Sequence, residues 1–376
     1  TVLAKGLDYT LAYGANTDAG TATVTVTGMG NYSGTQDKAF TILQAVITIT
    51  PDAEQTKIFG EADPVFAYTS SALPAVAGET PTFTGALTRI DAGTGTGENV
   101  GTYAITLGSL APADNGSFLA DNYSLALSPV PVTFAITPKD ASGFPIPAIG
   151  PYTYNVQRHR PTPEIKDGDI PLIKDTDYTL VYNRNLHASV DTAKVTVTYK
   201  GNYSGSAIKF FNILPASLTL TPDAEQTKTF GDPDPVFTYT STGAITGETP
   251  AFTGALARLA GEDVGTYAIT QGTLALADNA PFIASNYDLT VSADVLFEIT
   301  KKDLSAFTVA AIGPFIYDGT EHTPEPQVSN GATVLVKGTD YTLDYTNNTN
   351  VGTATLTITG IGNYKGTQDK TFTINR

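Results

Sequence analysis

The sequence predicts an all-β protein: a tandem array of small β-sandwich or β-grasp-like domains forming an elongated rod. Three observations carry this expectation. The chain repeats itself, since "GTATVTVTGMGNYSGTQDKAFTI" (Gly20–Ile42) and "GTATLTITGIGNYKGTQDKTFTI" (Gly352–Ile374) match at 18 of 23 positions although they start 332 residues apart. Within these segments Ala22, Val24 and Val26 alternate with Thr21, Thr23, Thr25 and Thr27, a period of two that puts apolar groups on one face of a pleated strand. Turn residues (Gly, Asn, Asp, Pro) recur about every 8–12 residues, and no stretch has helical periodicity.

Taken in order, the elements fall into two alternating repeats. Residues 1–44 are a partial A repeat, whose first residue corresponds to Thr333 of the last one. "DYTL" and "GNY" mark it, and "KAFTILQ" reads as its closing strand. Its glycines permit a tight turn, so Tyr32 is expected to fold over the sheet end, ring buried and hydroxyl bonded to backbone. Without a counterpart of residues 303–332, Val24, Val26 and Phe40 should stay half covered beside an unpaired edge, leaving the segment frayed, dimerised or completed by another chain. Residues 45–138 are a B repeat opening on "TPDAEQTKIFGEADPVF", which recurs as "TPDAEQTKTFGDPDPVF" with 14 of 17 positions identical. "ETPTFTGALTR" within it has room for one helical turn. Residues 139–215 are the middle A repeat, 216–300 the second B repeat with "VGTYAIT" and "NYDL", and 301–376 the last A repeat. "AITPKD", "NILPAS" and "EITKKD" join them within a few residues, too short for flexible tethers.

Composition removes several function classes. The formal charge of −16 argues against nucleic acid, whose phosphates need a basic footprint. With no cysteine there is neither a disulfide nor a Cys zinc site. No run of about 18 apolar residues is present, so no membrane span is expected. "TVLAKGLDYT" starts in mid-pattern with no signal peptide and reads as a piece of a longer protein.

The B repeats, with "FGEADPVFAYT", "GENVGTYAIT" and "NYSLAL" in the first and "FGDPDPVFTYT", "GEDVGTYAIT" and "NYDLTV" in the second, resemble the MBG-type repeats of large bacterial surface adhesins. The A repeats, with "YDGTEHTPEP" and "GTDYTLDYTNNTNVGTATLTITGIGNYKGT", are similar to companion repeats of such proteins. The resemblance implies a secreted, surface-anchored array used as a stalk or in adhesion, and brings no catalytic residues with it. The middle A repeat departs most: "YNVQRHRPTPEI" stands where the last has "YDGTEHTPEPQV".

Individual residues support no enzyme. His159 and His322 each lie five residues after a tyrosine, Tyr154 and Tyr317, which suggests one shared structural position. No second His or Cys zinc ligand lies near them. There is no nucleophile-elbow motif, and the carboxylates recur in turns. Calcium is the better metal candidate, at Asp167–Asp169, Asp175–Asp177 and "GDPDP" (Gly231–Pro235), but none fits a twelve-residue EF-hand loop and Asx turns explain them; no cofactor is expected. One feature stands against the acidic background: Arg158, His159, Arg160, Arg184 and His187, all in drifted segments of the middle A repeat. Arginines there suit the carboxylates of acidic glycans, or else pair with neighbouring acids. The expected function is a non-enzymatic repeat region of a cell-surface adhesin, acting as a stalk that projects a binding tip. The alternative is a binding module contacting host or matrix glycans or proteins directly. Neighbouring repeats of the same long chain are the other expected partners.

Overall fold

The computed structural model describes residues 1–72, 78–95 and 97–376. Among them the chain is built of strands, and its helical elements are two three-residue 3₁₀ turns, Ala120–Asn122 and Ala284–Asn286. The structure thus has the all-β, multi-sheet character expected. Residues 79–89, given room for a helical turn, instead hold the short strands Phe83–Thr84 and Thr88–Arg89. No helix among the described residues is long and apolar enough to cross a membrane.

The chain forms two compact bodies. One comprises Thr1–Ala148, Pro161–Asn183 and Lys194–Lys209; the other comprises Ile149–Arg160, Arg184–Ala193 and Phe210–Arg376.

In the first body, Tyr9–Gly14, Gly20–Gly28 and Thr35–Ile42 make a three-stranded antiparallel sheet with Ala22 opposite Phe40. Next come two sheets that share one core. Ala45–Pro51 runs parallel to Tyr123–Leu127 and antiparallel to Tyr68–Ser70. Thr133–Thr137 lies between Thr56–Ile58, parallel to it, and Gly101–Thr106, antiparallel to it. Ile47 and Ile49 of one sheet and Phe134 and Ile136 of the other face inward and are buried. Phe66 meets Phe134 edge-on, ring centres 5.1 Å apart, a geometry that adds to the burial of the rings. A third core follows around Ile165, Tyr178, Val197 and Tyr203.

The second body repeats the plan. Ala216–Pro222 pairs with Tyr287–Val291 and Tyr239–Thr242, and Leu296–Thr300 pairs with Thr227–Thr229 and Gly265–Thr270. Here one apolar core is continuous across the repeat boundary, since Tyr154, Phe211 and Ile213 cluster with Leu218, Phe282 and Tyr287. The last A repeat has a four-stranded sheet in the order Phe315–Ile316, Thr367–Asn375, Gly352–Gly360, Tyr341–Thr346. Its alternating Ala354, Leu356 and Ile358 are fully buried, as period two requires. In the first A repeat Ala22 is buried but Val24 and Val26 are only half-buried. Phe40 is 39% exposed where its counterpart Phe372 is 3%, and Tyr32 is 44% exposed where Tyr364 is 6%. The half-covered face expected of residues 1–44 is present. Tyr32 departs from the expected burial because it is uncovered among the described residues, whereas Tyr203 is buried and its hydroxyl lies 3.4 Å from an Asp167 carboxylate oxygen rather than on backbone.

Candidate functional site

Three groups of polar residues stand out. The first is the drifted segment of the middle A repeat. His159 and Asn185 are joined twice: the His159 N–H donates to the Asn185 carbonyl at 2.8 Å and Asn185 Nδ2 donates to the His159 carbonyl at 2.7 Å. The His159 ring stacks on Tyr152 at 4.7 Å. The last A repeat builds the same staple from His322 and Asn348, with the ring on Phe315 at 5.0 Å. His159 therefore holds a loop, at the position shared with His322. Arg158 reaches Asn185 Oδ1 at 3.5 Å. Arg160 and Arg184 are exposed. Arg184 takes a left-handed turn conformation (φ 53°) where the last A repeat has Asn347 (φ 57°), a residue better suited to it. His187 faces another way, with Nδ1 accepting from Asn286 Nδ2 at 3.1 Å. The structure thus joins Arg158 and His159 through Asn185 and takes His187 into a different contact.

The second group was not found from sequence. In the first B repeat Lys57 Nζ lies 2.7 Å from Asp63 and 2.5 Å from Glu98, while Arg89 lies 2.7 Å from the same Asp63 and 2.5 Å from the same Glu98. The guanidinium also lies over the Tyr103 and Phe134 rings, at 4.9 and 5.6 Å. The second B repeat closes the same ring with Lys228, Asp234, Arg258 and Glu262. The four cationic side chains are at most 5% exposed. Burial alone would raise the pKa of Asp63, but Arg89 and Lys57 hold it below the usual carboxylate range. Hydrogen bonds from Lys57 and the Gly93 amide bring Glu98 down to about 2. Such a ring is internally neutral and fully paired, which suits a structural lock and offers no free base or nucleophile. The signal was present in the sequence, because the four residues recur in the same order in both B repeats; what joins them is long-range and has no local period.

Three of the aspartates considered for calcium are engaged elsewhere. Asp167 holds Lys139 Nζ at 2.6 and 2.7 Å, Asp177 accepts the Ile173 N–H at 2.7 Å, and Asp234 belongs to the ion ring. Among the described residues no group of three or more His, Asp or Glu is placed to hold a metal.

The third group explains the recurring Asn-Tyr pairs. In the first body Asn122 Oδ1 accepts from the Ala19 N–H at 2.6 Å and its Nδ2 donates to Asp18 at 3.0 Å. Asn202 does the same to the Val100 N–H at 2.8 Å and to Asn99 at 2.7 Å. In the second body Asn286 accepts from the Ala188 N–H at 2.9 Å and bonds His187. Asn363 accepts from the Val264 N–H at 2.8 Å and donates to Asp263 at 2.9 Å. Each asparagine belongs to one repeat and reads the backbone and side chain of a turn in the repeat before it. Each is followed by a buried tyrosine, and Tyr203 and Tyr364 pack edge-on against Phe59 and Phe230 at 5.4 and 5.5 Å. The motif "NY" is therefore a plug, and the dipeptides Asp18-Ala19, Asn99-Val100, His187-Ala188 and Asp263-Val264 are its sockets.

Comparison with known proteins locates the B repeats. The family described as MBG domain (YGX type) matches residues 47–133 and 218–297. No curated protein matches the chain. Among solved structures, the chain is similar to the N-terminal eight Ig domains of Down Syndrome Cell Adhesion Molecule isoform 1.30.30, at 12% identity over 96% of this chain and a TM-score of 0.19; it spans 61% of that chain's length. The protocadherin γB4 extracellular domain is similar at 9% identity, 99% of this chain, 77% of that chain and a TM-score of 0.19. Protocadherin γB2 extracellular cadherin domains 1–5 match at 10% identity, 95% of this chain, 86% of that chain and a TM-score of 0.18.

Proposed function

We propose that this chain, with its two segments of MBG sequence, is a non-enzymatic repeat region of an extracellular bacterial adhesin that acts as a stalk for a distal binding tip. The observation that carries the reading is the plug-and-socket contact, made four times between consecutive repeats. The covalent connections are equally short: strands end at Ile42, Thr137, Leu214 and Thr300, and the next begin at Ala45, Lys139, Ala216 and Lys302. Doubly hydrogen-bonded junctions with connectors this short resist bending, and stiffness between repeats is what a stalk needs. The ion rings, whose cations are buried, fit the same role, since they fix each B repeat without presenting a reactive group.

The second reading, a glycan-binding module, rests on Arg160 and Arg184, which are exposed and make no hydrogen bond or ion pair among the described residues. A glycan array separates the two. The intact chain is expected to bind no glycan selectively. Selective micromolar binding to sialylated or uronic-acid glycans that is lost in the triple variant Arg158→Ser, Arg160→Ser, Arg184→Ser would replace the stalk by the binding module.

A further inference from the structure

The middle and last A repeats differ in one internal strand. In the last A repeat Thr308–Val309 lines the edge of Val328–Asn330, with Thr308 opposite Ser329 and Val309 opposite Val328. The Ala310 N–H donates to the Gln327 carbonyl at 2.8 Å. An antiparallel ladder bonds at every second residue, so Thr308 is the other donor, to Ser329. Aligning "KDASGFPIPAIGP" (139–151) with "KDLSAFTVAAIGP" (302–314) puts Pro145 at the place of Thr308 and Pro147 at the place of Ala310. Proline has no N–H, so both donors are gone. Among the described residues no backbone bond joins residues 144–147 to the facing residues 164–167.

The facing edge is otherwise intact. Lys166–Asp167 pairs on its other side with Ile170–Pro171, and the Leu172 N–H donates to the Ile165 carbonyl at 2.8 Å. By the same alternation the main-chain groups of Glu164 and Lys166 point to the proline side. A cleft of about 480 Å³ opens there, and its lining includes Phe144, Ile146, both prolines, Glu164 and Lys166. Phe144 and Ile146 are only half-buried, whereas their counterparts Phe307 and Val309 are buried. Ile165 beneath them is as fully buried as its counterpart Val328.

We infer that the Glu164–Lys166 edge is a docking edge for one extended peptide strand of a partner chain. That strand is apolar at alternate residues and free of proline at the two residues facing Glu164 and Lys166. It runs antiparallel, as Thr308–Val309 does on the sister edge, and takes the place that Phe144–Pro147 holds without backbone bonds. Two of its N–H groups donate to the Glu164 and Lys166 carbonyls, and the Lys166 N–H donates back. The sister edge shows what fits, since it holds such a strand. Main-chain bonds supply affinity, and the alternate side chains entering the cleft supply choice of partner. A resident segment that cannot make those bonds competes weakly for the edge. This does not depend on the stalk reading, since it concerns one edge of one repeat.

The test adds a synthetic peptide of residues 305–312, SAFTVAAI, to the intact chain. Binding is expected, with slowed hydrogen exchange at the Lys166 amide. The same peptide carrying Thr308→Pro and Ala310→Pro is expected to bind at least about tenfold more weakly, since it loses two hydrogen bonds. In the chain, Pro145→Thr with Pro147→Ala restores both donors to the resident strand. That variant is expected to melt at a higher temperature and to bind no peptide. The proline peptide tests the same bonds without altering the chain. Failure of the native peptide to bind, equal binding of the proline peptide, or undiminished binding to the Pro145→Thr, Pro147→Ala chain would each overturn the assignment.

Discussion

Asn286 shows how much one polar side chain does. It is fully buried, and both ends of its amide are used across a repeat boundary. Replacing it by alanine leaves the Ala188 N–H without its acceptor and is expected to cost about 1–3 kcal/mol, read from denaturant unfolding. Asn122, only half-buried in the equivalent contact, is expected to cost less. The ion rings make stability depend on acidity. Glu98 binds its proton less readily when folded, at about 2 against an ordinary 4.5. A depressed carboxylate contributes stability that is present above the unfolded value and lost as pH falls through the folded one. Asp63 and Asp234 are shifted in the same direction. The urea midpoint is therefore expected to be flat above about pH 5 and to fall between about pH 4.5 and 2, and Glu98→Gln should blunt that fall. At this scale the sequence was legible in part. The equal spacing of His159 and His322 from tyrosines announced a shared position. The ion rings were hidden because Asp63 and Arg89 meet 26 residues apart in sequence, and the apparent basic cluster divided because His187 is drawn to Asn286.

Among the elements, long strands were readable and short ones were not. Gly20–Gly28 and Gly352–Gly360 run for nine residues each, long enough for apolar and threonine positions to alternate visibly. Thr88–Arg89 has two residues and no period at all; its place is set by Gly101–Thr106 beside it and by the ion ring at its end. Equivalent strands also differ in how well they are covered, which gives a paired prediction. Phe372→Ala removes a buried ring and is expected to cost about 3–5 kcal/mol, whereas Phe40→Ala, at a site 39% exposed, is expected to cost well under half of that. Both are measured by chemical denaturation. Amide exchange in residues 1–44 is expected to be faster than in residues 333–376 for the same reason.

For the molecule as a whole, repetition was the plainest thing in the sequence, and its physical basis is the junction between repeats. An A socket receives a B plug, and a B socket receives an A plug. The two B repeats share "TPDAEQTK" at positions 171 residues apart. Removing residues 51–221 joins the two copies in register and leaves a chain of 205 residues, the full 376 less 171. Every junction left in it is A-to-B or B-to-A, so it is expected to fold with a melting temperature close to that of the parent. Removing residues 139–215 alone places B against B and is expected to expose a socket that its new neighbour does not match, seen as faster exchange at Val100. The near-identity that makes the protein repetitive also makes its coding sequence prone to unequal crossing-over. Where the recombination points fall in matching repeats, the product gains or loses one whole A–B period with every junction preserved. Repeat number then becomes a heritable quantity that changes in fixed steps, so homologous chains are expected to differ in copy number far more often than in the residues at the junctions.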